Sequence, residues 1–212
     1  MESEVRFYYS NNKYEEINNR LKKYDELKYE GCFYELTIQY DHPIKQKSFY
    51  RKEIDGRFRV RTSKDIITGR SKAKISWKRR VEQTFQGIVN NEEEVELDFR
   101  YDELENLTFL LENIIQMKKI ESYERYRNVF SNRDIEIVVD KYPFGVALEI
   151  ENKSKEKNPD ETILFWINKL GLDINKVFRL SWDDKYTQLC KEQNIEICKD
   201  VKFDLPMPKV ID

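Results

Sequence analysis

The sequence predicts an α+β fold, an eight-stranded antiparallel β-barrel with helices packed outside, and three observations lead to it. Eight stretches of the 212-residue chain alternate apolar and polar residues with the period of two that marks a strand with unlike faces. These stretches fill residues 1–151, whereas the segment after them reads as helical. The polar faces are sorted by charge. A face merely washed by solvent would mix signs so that neighbours could pair, but here whole strands are acidic or basic. Closing such strands into a barrel puts the charged faces inside and leaves the apolar faces for helices to cover.

The strands are read at Glu2–Tyr9, Tyr34–Tyr40, Arg57–Arg61, Lys72–Arg79, Glu93–Phe99, Ser122–Phe130, Asp134–Asp140 and Val146–Glu151. Their charged sides carry Glu2, Glu4 and Arg6 in the first, Arg57, Arg59 and Arg61 in the third, and Lys74, Ser76 and Lys78 in the fourth. The fifth presents Glu94, Glu96 and Asp98, the sixth Arg125 and Arg127, the seventh Glu136 and Asp140, and the eighth Glu149 and Glu151. Helical spacing appears at Tyr14–Tyr24 and Glu103–Met117, the latter with Leu104, Leu107, Leu111, Ile114 and Ile115 as its buried stripe. Asn158-Pro159-Asp160 starts a further helix that Gly171 ends, and a short one follows over Asp183–Glu192. The chain reads as a single domain over 1–212, with strands mainly in 1–151, a helical segment in 152–204 and an extended tail in 205–212.

Composition excludes several classes of function. Charged residues make up 37% of the chain but sum to a net charge of -2, so it is no polycation that coats nucleic acid, and any basic site is local. Cys32, Cys190 and Cys198 lack metal-type spacing and read as free, packed thiols of a reduced compartment. The N-terminus has no signal-peptide pattern, and no run of about 18 apolar residues occurs, so the expected location is cytoplasmic with no membrane partner. His42, the one histidine, lies in a turn, which leaves a Ser-His-Asp or Cys-His mechanism unsupported. Walker-type, GxGxxG and CxxC elements are missing from the sequence. An acidic wall facing a basic wall suits one ligand type well. Carboxylates bind Mg²⁺ or Mn²⁺ through hard oxygens while Arg and Lys clamp phosphate oxygens, so together they would hold a metal-bridged polyphosphate.

The run Glu2-Ser3-Glu4-Val5-Arg6-Phe7 resembles the ExExK signature of the CYTH superfamily, the triphosphate tunnel metalloenzymes. Matches follow in family order: Arg59 and Arg61, the basic strand Lys74–Lys78, Glu94 and Glu96, Arg125 and Arg127, and the closing pair Glu149 and Glu151. Asp184-Lys185-Tyr186-Thr187-Gln188-Leu189 is similar to the family's terminal K-S-Y-x-x-L without the Ser, and Arg6 stands where the pattern has Lys. The superfamily includes class IV adenylyl cyclases, thiamine and inorganic triphosphatases, and related RNA triphosphatases.

The resemblance implies Mg²⁺ or Mn²⁺ on Glu2, Glu4, Glu94, Glu96, Asp140, Glu149 and Glu151. It implies a triphosphate held by Arg6, Arg59, Arg61, Lys74, Lys78, Arg125, Arg127 and Lys185, with Glu2, Glu4, Arg6, Lys78, Glu149 and Glu151 serving the chemistry. Nucleoside triphosphates, tripolyphosphate and 5′-triphosphate RNA are the partners it admits, and a homodimer is compatible with it. Hydrolysis of the terminal phosphoanhydride is the expected reaction, because cyclase members carry a His-Phe element ahead of ExExK for which Glu2 leaves no room. Conversion of ATP to cyclic AMP and pyrophosphate is the alternative, and a non-catalytic triphosphate sensor a third. An acidic wall taken alone also predicts that removing Glu149 or Glu151 relieves repulsion and leaves the fold intact or more stable.

Overall fold

Residues 2–9 and 145–152 both alternate apolar with charged side chains, and they lie side by side in the barrel wall. This is seen in a computed structural model that describes residues 2–80 and 89–211, with the backbone alone at Glu2. The strands are β1 (Glu2–Tyr9), β2 (Lys28–Asp41), β3 (Gly56–Asp65), β4 (Ser71–Arg80), β5 (Asn90–Phe99), β6 (Lys118–Ser131), β7 (Ile135–Tyr142) and β8 (Gly145–Asn152). They are joined in the order β2-β3-β4-β5-β1-β8-β7-β6, and β6 returns to β2, so the sheet closes. Every neighbouring pair in this ring is antiparallel. Closure leaves the eight strands without free edges.

All eight strands match the expected ones, most of them running beyond the predicted bounds. β2 and β6 are the longest, and their pairing shifts register between Tyr29 and Gly31, where Gly31 adopts φ 138°. Residues with a Cβ rarely adopt that conformation, so the bulge falls at a glycine. A ninth strand that the alternation does not disclose, β9 (Asp200–Val201), runs parallel beside Ser122 and Tyr123 of β6.

The outward apolar residues meet helices. Val5 and Phe7 of β1, Ile135, Ile137 and Val139 of β7, and Val146, Leu148 and Ile150 of β8 pack with Ile163, Trp166, Ile167 and Leu170 of α3 (Pro159–Lys169) and its end. Leu21 of α1 (Tyr14–Leu21) joins the same core. At the start of α3 the Asn158 side chain accepts from the Asp160 N–H, with Pro159 in the first turn, and Gly171 follows its end at φ 56°.

A second apolar cluster, around Tyr40, Val60, Leu111 and Met117, lies under α2 (Leu104–Phe109). Here the predicted stripe needs correction. Leu111 is buried and Leu104 and Leu107 pack against the cluster, but Ile114 and Ile115 are 62% and 52% exposed. After Phe109 the helix widens into a π-helical turn over Leu110–Ile114, so the spacing on which the stripe was laid out no longer holds.

α4 (Trp182–Glu192) crosses one mouth of the barrel. Its Trp182, Tyr186, Leu189 and Cys190 pack with Tyr8, Tyr123, Tyr142 and Ala147, which share the inward parity of the charged residues. The extended tail completes this plug with Met207 and Val210, and the Val210 N–H donates to the Phe144 carbonyl at 2.8 Å. Cys190 is buried, Cys32 and Cys198 are half-buried, and all three are free thiols. Among the described residues no helix is long and apolar enough to cross a membrane.

Candidate active site

The inward parity of β1, β3, β4, β5, β6 and β8 brings Glu4, Arg6, Arg59, Arg61, Lys74, Lys78, Glu94, Glu96, Arg125, Arg127, Glu149 and Glu151 onto one cavity of about 240 Å³. Register explains why they meet. Glu4 lies opposite Glu151 and Arg6 opposite Glu149 across β1 and β8, while Arg61 lies opposite Lys74 across β3 and β4.

An alternating chain of charges runs round the wall. Arg6 donates through Nε to Glu149 Oε1 at 2.5 Å and through Nη2 to Glu4 Oε1 at 2.9 Å, and Lys78 stands 4.0 Å from the second Glu4 oxygen. Arg127 reaches Glu149 at 3.3 Å and Asp140 at 2.5 Å. Arg125 joins Asp140 at 2.9 Å to Glu35 at 2.6 Å, and Glu35 meets Arg61 at 3.8 Å. At the rim Lys74 pairs with Glu96 at 2.5 Å, and Lys153 pairs with Glu151 at 2.6 Å.

These charges stay charged when buried. Burial by itself raises the Glu149 carboxyl, but Arg6, Arg127 and Arg125 outweigh it and hold the group well below the usual carboxylate range. Glu35 is held low in the same way by Arg125, Arg61 and Arg127 against burial. At the α4 end, burial and Asp183 push the Glu121 carboxyl up to about 7, although Tyr50 and Gln39 hydrogen-bond to it.

Two predicted site residues stand elsewhere, and a third is described only by its backbone. Asp140 is fully buried behind the cavity and accepts from Arg125 and Arg127, so it anchors the basic wall rather than facing the lumen. Lys185 on α4 packs over the rings of Tyr8 and Phe178, at 5.8 and 5.4 Å from their centroids. Glu2 pairs through its backbone with Glu92, and its side chain lies outside the described residues.

Sequence reasoning missed Glu35, Tyr123, Tyr142 and Trp182. Glu35 occupies the inner face of β2 with Thr37 and Gln39, and all three are buried. A signal existed, since Glu35, Thr37 and Gln39 alternate with Leu36, Ile38 and Tyr40. Tyr123, Tyr142 and Trp182 line the cavity, and Tyr123 has the parity of Arg125 and Arg127.

Glu4, Glu149 and Glu151 offer the hard oxygens that Mg²⁺ and Mn²⁺ prefer. Among the described residues, however, no three acidic, His or Cys side chains converge as a ready-made cage, because Arg6 lies between Glu4 and Glu149 and binds both. The donor set instead fits a cation that keeps most of its shell and is held by one or two carboxylates together with substrate phosphates, the usual mode of Mg²⁺.

A larger vestibule of about 710 Å³ opens beside the tunnel and shares Arg6 with it. Lys52, Arg79, Arg80 and Arg179 line it together with Glu53, Asp55 and Glu92.

The closed eight-stranded antiparallel barrel defines the class of fold, and solved structures share that fold. The chain is similar to the PH1012 protein from Pyrococcus horikoshii OT3, with TM-score 0.63 and 20% identity over 87% of this chain and 98% of that one. It is similar to a candidate adenylate cyclase from Vibrio parahaemolyticus, with TM-score 0.63 and 15% identity over 86% and 95% of the two chains. It is also similar to HpAC1 from Hippeastrum, a candidate adenylyl cyclase with a dominant triphosphatase activity, with TM-score 0.57 and 14% identity over 93% and 98%. No family model and no curated protein matches the chain. The fold implied by the resemblance to the CYTH superfamily is therefore the fold observed.

Proposed function

We propose that this protein is an enzyme that binds a triphosphate inside the barrel and hydrolyses its terminal phosphoanhydride. The observation that carries the reading is the gathering of seven cations and five carboxylates, from six strands, on one cavity inside the barrel: Arg6, Arg59, Arg61, Lys74, Lys78, Arg125 and Arg127 with Glu4, Glu94, Glu96, Glu149 and Glu151. A solvated surface has no need of such convergence, whereas a polyanion whose charge shifts during P–O cleavage does.

Arg59, Arg61 and Lys74 would hold the phosphates, and Lys78 with Arg6 would neutralise charge on the bridging oxygen as water displaces a diphosphate leaving group. Glu4 and Glu151 would hold a Mg²⁺ or Mn²⁺ that arrives with the substrate. Bound there it would supply charge neutralisation and Lewis acidity. The vestibule beside Arg6 gives room for a leaving group larger than pyrophosphate, which supports nucleoside triphosphates and 5′-triphosphate RNA as substrates beside tripolyphosphate.

Product analysis tests the reading. Incubation with ATP and with tripolyphosphate, in Mg²⁺ or Mn²⁺, is expected to release orthophosphate from both. A cyclic nucleotide with pyrophosphate from ATP, and no orthophosphate from either, would replace hydrolysis by cyclisation. Binding without any product would make the protein a sensor.

A further inference from the structure

Tyr123 is a tyrosine set among arginines. It is 1% exposed, on the inner face of β6, and its ring packs at a tilt against Trp182 of α4, with ring centroids 4.2 Å apart. Across the sheet, Thr37 of β2 is its register partner and Arg61 of β3 is the register partner of Thr37, so the three stand in one row on the tunnel wall. Arg61 donates to the Thr37 hydroxyl at 3.2 Å, Arg59 and Arg61 line the same cavity as Tyr123, and the Arg125 guanidinium lies 5.9 Å from the Tyr123 ring centre.

Arg59 is the unusual member of this group. Arg6, Arg61, Arg125 and Arg127 each form an ion pair with a carboxylate. Arg59 forms none among the described residues, and its Nε is buried with no hydrogen-bond partner. Burial works against its charge, and the Tyr123 phenol and Glu94 offset that cost electrostatically. The other groups packed against Tyr123 are Tyr142 of β7 and Trp182 of α4, and Glu35 of β2 pairs with its strand neighbour Arg125.

We infer that Tyr123 is the tunnel's built-in counter-anion: its phenolate answers Arg59, Arg61 and Arg125 while the tunnel is empty, and it takes up a proton when a polyphosphate claims those guanidiniums. The electrostatics agree in sign. Burial raises the phenol, but Arg61, Arg125 and Arg59 outweigh it and bring it down to about 7. Phosphate oxygens that neutralise the arginines would remove that pull and return the phenol toward its ordinary range near 10. Above the empty-state midpoint, binding is therefore coupled to uptake of up to one proton, taken from solvent onto the phenol oxygen. The inference rests on the triphosphate reading only for the identity of the incoming anion.

Ultraviolet titration of the empty protein tests the phenolate without any substrate. One tyrosine is expected to ionise near neutral pH, apart from the other twelve of the thirteen, and this step should be missing in Tyr123→Phe, which keeps the packed ring. Arg59→Gln should move the step to higher pH with the fold unchanged. Calorimetry with tripolyphosphate, run in buffers of different ionisation enthalpy, tests the coupling. Wild type should take up a proton on binding, and its affinity should fall by up to about tenfold per pH unit above the midpoint relative to Tyr123→Phe. A neutral-pH step that persists in Tyr123→Phe, or no such step in wild type, overturns the phenolate. Tripolyphosphate binding with equal proton uptake in wild type and variant overturns the coupling. If the step is present but calorimetry detects no tripolyphosphate binding, the phenolate stands and the triphosphate reading falls.

Discussion

Arg6 Nε donates to Glu149 Oε1 at 2.5 Å between two register partners on β1 and β8, the strands that carry the first and last acidic pairs. Both side chains are close to nine-tenths buried. Glu149 also accepts from Arg127 at 3.3 Å, so one carboxylate neutralises two interior cations. This reverses the expectation that removing Glu149 relieves an acidic wall, because the wall is acidic in sequence and paired in space. Glu149→Ala should abolish activity and also destabilise the fold by about 3–5 kcal/mol, the cost of leaving buried charge uncompensated. Chemical denaturation of wild type and variant reads this directly, and an unchanged midpoint would contradict it.

Asp140 yields a prediction that separates anchoring from metal binding. It is fully buried and holds both Arg125 and Arg127. Asp140→Asn keeps the shape but removes the charge that offsets two guanidiniums. Its melting temperature should fall by the same amount in EDTA and in excess Mg²⁺. A fall seen only with Mg²⁺ would return Asp140 to the metal ligands.

Two groups set opposite pH dependences. Glu149 and Glu35 have folded-state values below their ordinary range, so their contribution is present above the unfolded value near 4.5 and is lost only as pH falls below it. Glu121 is raised to about 7, so the folded state binds its proton more readily, and this contribution fades as pH rises from about 4.5 through 7. Glu121→Gln, which stays neutral, should therefore melt higher than wild type at pH 8 and gain nothing at pH 5. The same difference at both pH values would sink the assignment.

The barrel was legible because a period of two is a short-range property: each strand announces its own faces, and like charges on one face suffice to point it inward. What the sequence conceals is depth and height along the tunnel. Asp140 and Glu136 share a face of β7, yet Asp140 sits behind two arginines while Glu136 lines the cavities. Lys185 fits a terminal motif, but its place on α4 turns it onto aromatic rings. Tyr123 was overlooked because a tyrosine in a strand reads as packing, and two of the three cations that act on it, Arg59 and Arg61, come from β3, more than sixty residues away in the chain. Ile114 and Ile115 were misplaced because a π turn leaves no mark in an apolar periodicity.

Binding of tripolyphosphate to the apo protein, measured by calorimetry in wild type, Arg61→Ala and Lys74→Ala, addresses the charged tunnel most directly. Arg61 and Lys74 are register partners on the basic wall, and both line the cavity. Wild type should bind one tripolyphosphate per chain, and each variant should bind at least about tenfold more weakly, the loss expected for a charge-assisted hydrogen bond of about 1.5–3 kcal/mol. Equal affinity in all three proteins, or no binding to wild type, would contradict a triphosphate site inside the barrel.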